Sequence, residues 1–136
     1  TDVTGFGLLG HLLEMIRPDS SSGVTLDLAA LPVLEGAEDT LRQHLLSSLH
    51  PQNAQAFSQV QNMAEVEDHP RMPLLVDPQT SGGLLATVPP ESVDGCVAVL
   101  RQAGYAQTCV IGTVVDKEVD KGNDSDRGRL PIQILR

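Results

Sequence analysis

Asp2 is the first residue whose type and setting suggest chemistry. In Thr1-Asp2-Val3-Thr4-Gly5-Phe6-Gly7-Leu8-Leu9-Gly10-His11 an acid and three glycines stand ahead of an apolar run, the pattern of a polar loop feeding a helix. A carboxylate at such a point meets unpaired backbone N–H groups and the positive end of the helix dipole. It serves either as a structural cap or as a hard oxygen ligand for a cation such as Mg²⁺, and spacing alone leaves the two readings level. A second stretch, Asp77-Pro78-Gln79-Thr80-Ser81-Gly82-Gly83, offers the hydroxyls of Thr80 and Ser81 and the unhindered N–H groups of Gly82 and Gly83. Those donors can line a path for an anion, although a tight turn between two strands also needs glycine. His11 has Glu14 as its nearest partner on the same face, which suits a surface or hydrogen-bonded residue better than a ligand.

The elements that must hold these residues follow from periodicity. Phe6, Leu9, Leu13 and Ile16 recur at helical spacing, with Leu8, Leu12 and Met15 widening the face and Gly7, His11 and Glu14 opposite. Arg17 in the last turn and Pro18 after it predict the stop. Asp19 to Gly23 reads as a loop and Val24 to Leu28 as a half-buried strand. Leu31 to Leu49 predicts one or two short helices, with Leu41, Leu45 and Leu49 four apart. His50 to Pro73 is the least legible stretch, with a possible helix over 54–63 and an acidic Glu65-Val66-Glu67-Asp68 run that reads as a solvated face.

Leu74 to Val76 and Leu84 to Val88 predict two strands flanking the Thr80–Gly83 turn. Pro90 to Ala103 predicts a helix stopped by Gly104. Thr108 to Val115 and Leu130 to Leu135 predict a closing hairpin with a long tip over 116–129. The sum is about five strands and three or four helices, an α/β (α+β) sandwich with helices packed on a mixed sheet.

Composition bounds the function. At 136 residues the chain fits one domain with its own core; with aromatics at 2%, that core rests on Leu, Val, Ala and Ile. A net charge of -9 repels phosphate backbones and anionic lipid, so nucleic-acid and membrane-surface binding are not expected. With no run long enough to span a bilayer and no leader, the expected compartment is the cytoplasm. Cys96 and Cys109 are too few for a disulfide framework or a cysteine metal site. Asn123-Asp124-Ser125 matches a glycosylation acceptor but carries no weight without secretory evidence.

Gly5-Phe6-Gly7-Leu8-Leu9-Gly10 satisfies G-x-G-x-x-G, and Asp27 lies where a dinucleotide fold would place its ribose acid. That fingerprint requires a strand running into the first glycine, and Thr1 to Thr4 is at best the tail of one. The same residues read as a longer block, together with Asp77-Pro78-Gln79-Thr80-Ser81-Gly82-Gly83-Leu84-Leu85, resemble the C-terminal half of the selenophosphate synthetase (selenide, water dikinase) family. The resemblance runs on through the Pro90 helix, Gly104-Tyr105 and Val110-Ile111-Gly112.

It implies a C-terminal domain like that of the PurM-like, or aminoimidazole ribonucleotide synthetase, superfamily. It further implies a full protein that makes selenophosphate, AMP and phosphate from selenide, ATP and water. It makes Asp2 a Mg²⁺ ligand beside ATP and a homodimer the expected assembly. The family's nucleophilic Cys or selenocysteine, its Lys and its further aspartates have no match in residues 1–136. The expectation is a single domain that is half of a two-domain synthetase, without its N-terminal ATP-binding domain, without a catalytic residue of its own and inactive alone. Two other readings stay open: a noncatalytic packing or dimerisation module, and a relative acting on a purine or thiamine intermediate or in hydrogenase maturation.

Overall fold

The computed structural model describes residues 1–16, 22–116 and 131–136. The predicted Arg17–Pro18 stop, most of the Asp19–Gly23 loop, the tip over 117–129, the Asn123 acceptor and Leu130 lie outside them. The elements in chain order are α1 (Gly7–Ile16), β1 (Ser22–Asp27), α2 (Ala37–Arg42), α3 (His50–Asn53), α4 (Met63–Val66), α5 (Val93–Gln102), β2 (Gly112–Asp116) and β3 (Ile132–Leu135). Short 3₁₀ segments occupy Ala54–Gln59, Met72–Val76 and Pro90–Ser92.

The described sheet has three strands where about five were expected, in the order β2-β1-β3. β1 pairs antiparallel with β2, Val24 opposite Val114, and parallel with β3, Val24 opposite Ile132. The sheet is mixed, as the sequence implied, but the closing hairpin is not formed: β1 lies between its two arms. Val24, Leu26, Ile132 and Ile134 alternate onto one face and are buried with Leu9, Leu12, Leu13 and Ile16 of α1 in a single core.

The two missing strands have separate causes. Leu74 to Val76 belongs to the 3₁₀ turn Met72–Val76, which has Pro73, a residue without an N–H to give to a ladder, in its first residues, and Leu75 and Val76 are both buried. Leu84 to Val88 makes one isolated bridge, Leu84 to Asp2; its ladder is as short as the Thr1–Val3 segment it faces. The leucine repeat after Leu31 does not make one helix either. His44, at φ 56, turns the chain left-handed, and its N–H and that of Leu45 close onto Leu41 and Thr40, so α2 ends with Leu45 and Leu49 exposed.

Helix α1 also differs in phase from its expected face. Gly7 opens it at φ +70, where an added Cβ would sit 2.8 Å from the Val76 carbonyl carbon. Phe6 therefore falls before the helix and is 57% exposed, while Gly7 and His11 turn inward and His11 is 7% exposed. The helix expected over Pro90–Ala103 forms over Val93–Gln102, its first three residues making a 3₁₀ turn instead, with Gly104 at φ +101 behind it. No described helix is long and apolar enough to cross a membrane.

Candidate functional site

The two stretches singled out by their chemistry are about eighty residues apart in sequence and lie side by side. Thr1 and Leu85 exchange backbone hydrogen bonds, Thr1 N to Leu85 O at 3.0 Å and Leu85 N to Thr1 O at 2.8 Å. Val3 N donates to Gly83 O at 2.9 Å and Gln79 N to Thr4 O at 3.0 Å. The result is a short antiparallel ribbon whose far end is the Thr80–Gly83 turn. Its closeness explains Gly82: a Cβ there would stand 2.1 Å from Val3 O, whereas one at Gly83 would meet nothing within 4 Å.

Asp2 is exposed and sits opposite Leu84, which is 86% exposed. Directly opposed residues of an antiparallel pair project to the same side, so the carboxylate stands on the solvent face of the ribbon. Among the described residues nothing hydrogen-bonds to it, so it does not cap α1. Thr80, Ser81 and Gly83 are exposed and Gly82 is half-buried. A carboxylate and a hydroxyl-bearing turn thus share one accessible ribbon, hard oxygen donors next to groups able to donate to an anion.

Two residues hold this ribbon to the body of the fold. Asn53 donates from Nδ2 to Gly5 O at 2.8 Å and to Val76 O at 3.0 Å, tying the glycine loop to the 3₁₀ turn beside it. His11 Nε2 lies 3.0 Å from Thr4 Oγ1. Its Nδ1 is 3.3 Å from Glu14 Oε2, within ion-pair range but not aligned as a hydrogen bond. Asn53 carries no sequence signal, since it lies in the least legible stretch. His11 had one: it follows Thr4 by seven residues, two helical turns, a spacing that puts a helix residue over the loop that precedes it.

Other candidates resolve into structure. Asp27 accepts the Ala29 and Ala30 N–H groups through Oδ1, closing a turn, and no strand feeds the glycine motif, so the dinucleotide reading has no support in the fold. In the acidic run Glu65, Glu67 and Asp68 are exposed, Val66 is core and Asp68 pairs with Arg136. Cys96 and Cys109 are free, and the Cys109 thiol donates to Ala30 O. Among the described residues no group of three or more His, Cys, Asp or Glu side chains is placed to hold a metal ion.

The family model for AIR synthase related protein, C-terminal domain, matches residues 1–124. Curated relatives bear the name selenide, water dikinase. That of Burkholderia orbicola is 40% identical over 116 residues, covering 85% of this chain and 32% of the relative. The Dechloromonas aromatica protein is 36% identical over 118 residues, 87% of this chain and 34% of that one, and the Rhizobium meliloti protein 41% over 114, 83% and 32%. The chain spans about a third of the length of these relatives.

Proposed function

We propose, for a chain that belongs to the AIR synthase related protein C-terminal domain family, that it is the C-terminal domain of a selenide, water dikinase. The observation that carries this reading is the ribbon. The two stretches that carried the resemblance meet there, with the Asp2 carboxylate free on the outer side and its backbone fixed to the turn. About 40% identity to the Burkholderia orbicola protein of that name supports it.

In this reading Asp2 supplies one hard oxygen toward Mg²⁺, which when bound neutralises phosphate charge during phosphoryl transfer. The fit is partial. One exposed carboxylate suits a cation, but the remaining ligands, ATP and the nucleophile belong to the N-terminal domain of the full protein. The Thr80 and Ser81 hydroxyls and the Gly82 and Gly83 N–H groups face an anion, phosphate or selenide, along the same ribbon. The whole enzyme works on selenide and ATP in the cytoplasm as a homodimer, and the 136-residue chain alone neither hydrolyses ATP nor binds it tightly.

A second reading is compatible with the same lone carboxylate and with the lack of a three-ligand group among the described residues: a noncatalytic module that supplies packing or dimer contacts while the attached domain does all the chemistry. Asp2→Ala in the full-length protein separates the two. The metal-ligand reading predicts a fall of about a hundredfold or more in Mg²⁺-dependent, selenide-dependent ATP turnover at unchanged melting temperature. Unchanged turnover selects the packing module.

A further inference from the structure

We infer that His11 is a positioning residue that sets the Asp2-bearing ribbon through the Thr4 side chain; its consequence for a metal rests on the proposed role of Asp2. Thr4 is where the ribbon, the glycine loop and α1 are joined. Its carbonyl oxygen accepts from Gln79 N and from Gly7 N, both at 3.0 Å, and its hydroxyl faces His11 Nε2 at 3.0 Å. The residue on either side is fixed as well: Val3 is buried and bonded to Gly83 O, and Gly5 O is held by Asn53.

His11 is buried in α1 together with Gly7, Leu9, Leu12, Leu13 and Ile16. A buried imidazole in such surroundings is costly unless its nitrogens find partners. One partner is the Thr4 hydroxyl; the other nitrogen is turned toward the Glu14 carboxylate at 3.3 Å without hydrogen-bond alignment. That carboxylate favours the tautomer with the proton on Nδ1, which leaves Nε2 to accept from the Thr4 hydroxyl. The bond fixes the Thr4 side-chain rotamer and holds its backbone to α1, and so steadies the ribbon from which Asp2, two residues earlier, projects opposite Leu84. Phe6 stacks at a tilt on the ring, 5.4 Å between centroids, and limits its freedom.

Hydrogen exchange in the 136-residue chain tests this. Thr4→Val removes the hydroxyl and keeps the shape, Thr4→Ser keeps the hydroxyl, and His11→Phe keeps a ring without nitrogens. The amides of Val3, Gln79 and Leu85 are expected to exchange about tenfold faster in Thr4→Val and His11→Phe, measured against the sheet amides of Val24 and Leu28, and to stay near wild type in Thr4→Ser. The His11 Nε2 nitrogen resonance should move in Thr4→Val. Unchanged relative protection of those three amides in Thr4→Val overturns the inference.

In the full-length protein, with Mn²⁺ as the probe, Thr4→Val is expected to weaken metal binding roughly tenfold with the melting temperature unchanged, and Asp2→Asn more. If Asp2→Asn weakens Mn²⁺ binding and Thr4→Val does not, positioning is refuted while the metal assignment survives. If Asp2→Asn has no effect, the proposed function fails, and the amide exchange still decides what His11 does.

Discussion

Helices α1 and α5 are each ten residues long and carry apolar residues at helical spacing, yet the molecule uses them in opposite ways. Six residues of α1 are buried and none of α5. In α5, Val93, Cys96 and Val97 are half-covered while Val99 is 64% exposed. The amphipathic pattern was enough to form both helices, but it did not decide how deeply either sits. Depth came from what the flanks do. α1 starts at a glycine pressed against the Val76 backbone and is anchored by His11 to Thr4. α5 starts from an exposed proline turn and is tied at its far end by Arg101 Nε to Thr108 O.

Four substitutions, two in each helix, sharpen this contrast or break it. The largest effect is expected at Leu9, fully buried in α1: Leu9→Ala should lower unfolding stability by about 3 kcal/mol, against less than about 0.5 kcal/mol for Val99→Ala, both by urea titration. Equal losses would mean that α5 is covered in solution. Next comes Gly7→Ala, which meets both the positive φ and the Val76 backbone and should cost about 2 kcal/mol. The same change at Gly95 in α5, where nothing lies within 4 Å of the added Cβ, should have the opposite sign and stabilise by about 0.5–1 kcal/mol. A destabilising Gly95→Ala would show that α5 is not helical as described.

What could be read in the sequence was whatever is encoded over a few neighbouring residues. The α1 and α5 spacings, the alternation of Val24 to Leu28 and of Leu130 to Leu135, seen from Ile132 onward, and the glycine after α5 all act locally, and they appear in the structure. The failures required knowledge of distant partners. Leu74-Leu75-Val76 is apolar enough for a strand, but Pro73 and the approach of Gly7 make it a turn. The hairpin expected over 108–135 is opened by β1, which no pattern within those residues announces. At the candidate site, Asp2 and the Thr80–Gly83 turn were visible as residue types; the pairing of their two segments was not, and Asn53, which ties the Gly5 loop to the Met72–Val76 turn, looks like any polar residue in a polar stretch. His11 was placed on the wrong side because the helical phase was counted from Phe6, one residue before the glycine that sets it.

The arrangement of the sheet carries a kinetic consequence. Its middle strand lies near residue 25 and acquires one neighbour near residue 114 and the other near residue 134, so both ladders close loops of roughly ninety residues or more. During synthesis β1 has no strand partner until most of these residues have left the ribosome, whereas α1 meets the Met72–Val76 turn earlier, and contacts so remote in sequence make for slow folding. For that interval Val24 and Leu26 of the middle strand lack the Ile132 and Ile134 side chains that share their core, and an unpaired apolar strand stands open to other chains.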